Sequence, residues 1–309
     1  MGGIVVNFTA QDVKNLREKT GCGMMDCKKA LSESNGDMEK AIDFLREKGL
    51  AAATKKSSRV AAEGLAMAYT KEDCSVGVAI EVNSETDFVA KNADFQSFVK
   101  VCGETVMEKN PSTVEELLKI ALPSGKTVEE LLQEKILTIG ENLKIRRFQR
   151  FDGTVAGYVH AGGKIGVLVK FDVKNEESSK TEEFKNYAKD VAMQIAAANP
   201  LYLNPVDVPA ETIEHERKIL KEQIVNDGKP ENIAEKIVEG RIGKYYKEVC
   251  LNKQVFVKDS NINIEEYTAK VAKDLGTEIS ISNFVRFEKG EGIEKKEDDF
   301  ASEVAGMIK

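Results

Sequence analysis

Tryptophan is absent from this 309-residue chain, and aromatic residues make up only 6% of it. Platforms on which nucleic-acid bases could stack are therefore scarce. Positive charge is not in excess either. The 45 Lys and Arg residues face 52 Asp and Glu, a net charge of −7, so direct binding to a nucleic-acid backbone is not expected. No stretch approaches the roughly 18 apolar residues of a membrane span, and no membrane association is expected. The start, Met1 to Asn7, has no basic region ahead of a long apolar core, and does not read as a secretory signal. The five cysteines (Cys22, Cys27, Cys74, Cys102 and Cys250) are odd in number and scattered. That suits reduced thiols in the cytoplasm rather than a disulfide framework.

Chemistry-bearing motifs are equally sparse. The two histidines, His160 and His215, lie far apart, and no cysteine stands at ligand spacing from either. Cys22 and Cys27 are too widely spaced for a zinc-finger pair. Gly162-Gly163-Lys164-Ile165-Gly166 superficially suggests a phosphate loop. It lacks the earlier glycine, and Ile165 stands where Ser or Thr would bind Mg²⁺. No G-x-S-x-G elbow is present. No catalytic residue, metal site, cofactor or nucleotide pocket is expected, and the chain does not read as an enzyme.

What is present is ordinary for a soluble globular protein: 41% hydrophobic and 31% charged residues, in a length that suits more than one domain. Thr9 to Gly49 reads as three helices. Thr9 and Asp12 form a capping pair ahead of Val13 and Leu16. Gly21 and Gly23 end the first helix, and Met24 to Glu33 make the second. Asp37 caps a third, which Gly49 is expected to close. Met24 and Met25 could be core or an adaptable contact surface, and the residues alone favour core. Ala51 to Gly64 is small, basic and polar, and reads as a linker or helical connector.

The middle of the chain repeats itself. Gly77-Val78-Ala79-Ile80-Glu81-Val82 matches Gly166-Val167-Leu168-Val169-Lys170-Phe171, an offset of 89 residues (166 − 77). The same offset pairs Phe95 with Phe184 and Phe98 with Tyr187. Each copy reads as strand, connection, amphipathic helix. Val76 to Val82 is the first strand, Asn83 to Glu85 its expected turn, and Asn92 an N-cap for the helix that follows. The connections differ: Thr86-Asp87-Phe88-Val89 answers to Asn175-Glu176-Glu177-Ser178. If Phe88 served only to pack this motif, the second copy should be apolar there too. It carries Glu177, so Phe88 is a candidate contact group.

Between the copies, Val114 to Ala121 and Val128 to Leu137 have helical spacing, and Arg146 to Val159 has strand character broken at Asp152-Gly153. His160 is expected in a turn. Pro209 to Tyr246 reads as two helices about a tight turn at Asp227-Gly228-Lys229-Pro230, an antiparallel hairpin with a charged surface. Glu265 to Leu275 reads as a helix and Glu278 to Phe287 as a strand. Phe300, Val304 and Ile308 suggest a short terminal amphipathic helix.

Two stretches carry a specific resemblance. Leu16-Arg17-Glu18-Lys19-Thr20-Gly21-Cys22-Gly23-Met24-Met25-Asp26-Cys27-Lys28 closely resembles the N-terminal signature of the bacterial elongation factor Ts family. Glu81 to Lys91 resembles that family's second signature. The similarity extends over Ile139-Gly140-Glu141-Asn142, Arg146-Arg147, His160 and the acidic stretch near Gly290. It implies an α+β fold. Its parts would be a ubiquitin-associated-like three-helix bundle (1–52), a linker (53–64), and a core of two related subdomains (65–165; 166–206 with 247–287). A helical hairpin (207–246) would be inserted in the second, and a C-terminal module (288–309) would carry a short helix.

The resemblance also implies nucleotide exchange on elongation factor Tu in translation. Thr86, Asp87, Phe88 and Val89 would disturb the partner's Mg²⁺ region, and Ile139 and Gly140 would abut it. His160 would meet another domain of the partner, while Arg17, Met24 and Met25 would grip its nucleotide-binding domain. Some family members use the hairpin for self-association, which would give a homodimer. A ubiquitin-associated-like adaptor without exchange activity is the alternative, and a small-molecule enzyme a distant third.

Overall fold

A computed structural model describes residues 8–226 and 231–294. The expected terminal helix at Phe300, Val304 and Ile308 lies outside the described residues. The protein is of mixed helix and sheet, α+β in class. Its elements run α1 (Ala10–Thr20), α2 (Met24–Glu33), α3 (Met38–Lys56), β1 (Glu63–Thr70), β2 (Val76–Ser84), α4 (Asp87–Ala90) and α5 (Ala93–Lys109). Next come α6 (Val114–Lys119), α7 (Val128–Ile139), β3 (Lys144–Asp152), β4 (Thr154–His160), β5 (Ile165–Val173), α8 (Glu176–Ser179) and α9 (Glu182–Ala198). The chain continues through α10 (Ala210–Asn226), α11 (Glu231–Val249), β6 (Val255–Phe256), β7 (Asp259–Asn263), α12 (Ile264–Asp274) and β8 (Ile279–Glu288). The strands form sheets ordered β1-β2-β3, β4-β5-β8 and β6-β7.

Contacts divide the chain into two compact units: Met1–Ala66 with Ile80–Phe148 and Glu288–Lys309, and Met67–Ala79 with Gln149–Phe287. In the first, the Thr9–Asp12 capping box opens α1, and Asp37 accepts hydrogen bonds from the Glu39 and Lys40 amides to open α3. Val13, Leu16, Cys22, Cys27, Ala30, Leu31, Ala41 and Leu45 are buried together, with Leu137 of α7 packed against them.

Two expectations fail here. Gly49 does not end α3, which runs on to Lys56. A Cβ at Gly49 would lie only 3.4 Å from the Gln133 carbonyl oxygen, so glycine here lets α3 lie close along α7. That packing overrides glycine's cost in a helix, and the first part of the expected linker is helical. Asn83 and Ser84 are not turn residues either but the last, buried residues of β2. The Asn83 side-chain NH₂ donates to the Glu63 carbonyl and to the Glu81 carboxylate, which satisfies the donor half of this buried amide, while its Oδ1 has no hydrogen-bond partner among the described residues.

In the second unit, β4 and β5 pair antiparallel, from Thr154↔Phe171 to His160↔Ile165. His160 therefore ends a strand rather than lying in the turn after it. Phe171, Phe184 and Tyr187 pack ring to ring, with centroids 5.4–5.9 Å apart, over a core that includes Val191, Ile195 and Ile281. α10 and α11 share an apolar cluster of their own, with Ile213, Leu220, Ile224, Val238 and Ile242.

The internal repeat holds to the residue. α4 and α8 both span four residues at the 89-residue offset, and α5 and α9 both span 17.

Candidate functional site

The junction between β2 and α4 is fixed from the outside. The Glu85 and Thr86 amides both donate to Glu141 Oε2 at 3.0 Å, and the Thr86 hydroxyl donates to Glu141 Oε1 at 2.6 Å. In return, the Asn142 amide donates to Glu85 Oε1 at 2.6 Å, and Arg59 lies 3.5 Å from that oxygen. Glu141 follows Gly140, the left-handed C-cap of α7 (φ 87°), whose amide donates to the Ile136 carbonyl. Only a residue without a Cβ adopts that conformation freely.

From this fixed junction Phe88 points outward and is 78% exposed. Its neighbours Val89 and Ala90 are buried. Asp87 pairs with Lys91 at 2.9 Å, and Lys91 Nζ lies 5.7 Å from the Phe88 ring centroid. The hydrogen bond from Lys91 holds the Asp87 carboxyl below its ordinary range. Phe88 and Val89 line an open groove with Gly21, Asn92, Asp94, Thr138 and Ile139. Arg17, whose carbonyl accepts the Gly21 amide at 2.8 Å, is exposed. Met24 and Met25, at the start of α2, are 58% and 75% exposed, so neither is core. A more enclosed cavity of about 240 Å³ lies between α3 and α7, lined by Cys22, Leu45 and Leu137 among others. It takes in no residue of the groove.

Beneath β2 lies a cluster that spacing did not reveal. Glu81 is fully buried, and its carboxylate accepts from Arg146 Nη1 (2.9 Å), Arg147 Nε (2.6 Å), Asn83 Nδ2 (3.0 Å) and the Gly290 amide (2.8 Å). Gly290 has φ 70°, and a Cβ there would meet the Ala62 carbonyl oxygen at 2.0 Å. Lys289 pairs with Glu63. The strap from Glu288 to Glu291 is thereby held against Ala62, Glu63, Glu81 and Arg147 of the same unit. Among the described residues no group of acidic, Cys and His side chains could hold a metal ion, and no helix is long and apolar enough to cross a membrane.

The first unit thus brings Phe88, Val89 and Ile139 to one groove, while Thr86 and Gly140, close to them in the chain, do not line it. His160 belongs to the second unit, exposed at the end of β4, with Nδ1 3.1 Å from the Tyr158 hydroxyl. Residues 85–291 match the family model described as Elongation factor TS. This chain belongs to the elongation factor Ts family. The elongation factor Ts of Clostridium kluyveri is 55% identical over 306 residues, covering 97% of this chain and 99% of that protein. That of Clostridium perfringens is 54% identical over 303 residues, with the same coverage. That of Clostridium acetobutylicum is 51% identical over 301 residues, covering 96% of this chain and 97% of the relative. The stretch matched by the elongation factor Ts model contains the Phe88 junction, Ile139 to Asn142, His160 and the strap. Arg17, Met24 and Met25 precede it.

Proposed function

We propose that this chain is the nucleotide exchange factor of elongation factor Tu, acting in translation elongation by speeding release of bound GDP so that GTP can replace it. One observation carries the reading. A large apolar ring is left 78% exposed on a junction held by four hydrogen bonds, two of them from its backbone amides. Aromatic rings are enriched where proteins meet, and a ring held out on a fixed junction suits a group meant for a partner. Phe88, with Asp87 beside it and Thr86 and Val89 framing it, acts as a wedge near the partner's Mg²⁺ site. Ile139 and Gly140 abut the same region, and Arg17, Met24 and Met25 grip the nucleotide-binding domain. His160 touches another domain. The nucleotide stays in the partner's pocket, so this chain needs no cofactor and catalyses no covalent step. The α1–α3 bundle and the α10–α11 hairpin are docking and peripheral elements; in this reading the hairpin stands outside the exchange step.

Magnitude limits the wedge. A ten-thousand-fold faster release requires a barrier lower by roughly 5.5 kcal/mol. Full burial of one Phe contributes only about 1.5–3 kcal/mol. The remaining contacts must hold the wedge in place. Linkage also requires that GDP weaken binding of this chain by the factor by which this chain weakens GDP. Release of a fluorescent GDP from elongation factor Tu tests the reading. Acceleration by the purified chain is expected. Tight binding with an unchanged release rate would favour the adaptor alternative.

A further inference from the structure

We infer that Glu141 is the positioning residue of the Phe88 site: its carboxylate pins the β2–α4 junction to the turn after α7, and so decides where the Phe88 ring is presented. The inference rests on the reading of Phe88 as the group that acts on elongation factor Tu. A side chain this exposed is not located by packing. It is located only by the backbone that carries it. That backbone is a single helical turn of four residues, too short to hold itself. Glu141 supplies what is missing, since one carboxylate receives both junction amides and the Thr86 hydroxyl. Bonds of this kind to an ionised acceptor are stronger than neutral ones. The Asn142 amide closes the loop on Glu85, and the Asn142 side chain donates to the Arg59 carbonyl at 2.7 Å.

The second copy of the repeat is the internal control. Asn175 stands at the position of Thr86. Its side chain caps its own short helix, accepting from the Glu177 amide at 3.2 Å, and its amide donates to the neutral Thr277 hydroxyl at 3.1 Å. Thr86 makes no such cap, because its hydroxyl is committed to Glu141. The copy that presents a phenylalanine is the one held by a carboxylate. The copy that presents Glu177 is held by neutral acceptors, the Thr277 hydroxyl and the Glu278 backbone carbonyl, which accepts the Lys174 amide at 3.0 Å. The same clamp joins Phe88 to Ile139, so two parts of the groove that are distant in sequence move as one piece.

The test is a double-mutant cycle in the full chain with Glu141→Gln, Phe88→Ala and the pair. Three quantities are read: the GDP-release rate from elongation factor Tu at saturation, the half-saturating concentration, and the melting temperature. Glu141→Gln is expected to lower the saturating rate about tenfold while the half-saturating concentration stays within about twofold. In the Phe88→Ala background, Glu141→Gln should change the rate by less than about twofold, because the group it positions is gone. Losses that multiply in the double variant would overturn the inference. So would a saturating rate left unchanged by Glu141→Gln, or a defect confined to melting temperature. A normal rate from Phe88→Ala alone would overturn the reading of Phe88 itself, whatever Glu141→Gln does. Should Glu141→Gln not fold, Glu141→Asp carries the same cycle, since it keeps the charge and withdraws it by one carbon.

Discussion

Replacing Glu81 by Gln should destabilise the unit that contains it far more than its single lost charge suggests. The carboxylate is fully buried, and its four donors include two guanidinium groups. Removing one partner of a buried ion pair typically costs 3–5 kcal/mol, because the other charge is left uncompensated. Here the Arg146 and Arg147 side chains keep 24% and 32% exposure, so water recovers part of the loss. The lower end, about 3 kcal/mol, is therefore expected. In a cooperative unit of this size that corresponds to a fall in melting temperature of about 6–12 °C. The Lys174–Glu278 pair supplies the contrast. It is as short, at 2.7 Å, but its side chains are 71% and 80% exposed. Lys174→Ala should shift the melt by less than about 2 °C, since exposed pairs contribute little. Scanning calorimetry of the full chain reads both variants. A shift below about 2 °C for Glu81→Gln would refute the argument that burial decides the effect.

Three further outcomes follow from other parts of the molecule. Lys91→Met should raise the Asp87 carboxyl back toward its ordinary value, read by NMR titration; the Asp87–Lys91 bond is present above the ordinary carboxylate range and lost as pH falls through the lowered value, so no change in Asp87 would show that Lys91 is not its partner. Alkylation followed by mass spectrometry should modify Cys74, which is partly exposed, well before Cys102 or Cys250; burial pushes the Cys102 thiol up and the Cys250 thiol to about 11, and early labelling of either would contradict their burial. Replacing α10 and α11 by a short Gly-Ser link should leave GDP release largely intact, because their apolar residues pack mainly on each other; a loss as large as that from Phe88→Ala would place the hairpin in the exchange machinery.

Local chemistry was legible in the sequence wherever a short-range signal exists. The caps at Thr9, Asp37 and Asn92, and the repeat as strand, connection and helix, follow from spacing alone, although each connection holds a short helix, α4 or α8, that spacing does not announce. So did the suspicion about Phe88, because a repeat with Glu177 at the matching place removes the packing explanation. What was not legible depends on partners far along the chain. α3 passes through Gly49 because α7 lies against it, and a lone glycine carries no sign of that. Asn83 and Ser84 look like turn residues until the Glu63 carbonyl and the Glu81 carboxylate are seen to take both donations of the Asn83 NH₂. Glu141 and Asn142 belong to a stretch that resembles the family. Their bonds to Glu85 and Thr86, some 55 residues away, have no periodicity to announce them. The four-donor cluster on Glu81 likewise draws on β2, β3 and the strap.

The central claim is that Phe88 is a contact group rather than a core residue, and Phe88→Ala tests it most directly. At 78% exposure its truncation removes little buried surface. The melting curve should therefore change by no more than about 0.5 kcal/mol of stability, whereas a buried Phe would cost about 3–5 kcal/mol. Measured on the same preparation, the rate of GDP release from elongation factor Tu should fall by about tenfold or more, the size of effect expected when a contact made during release is removed. A large drop in melting temperature with near-normal release would contradict the account and return Phe88 to the core.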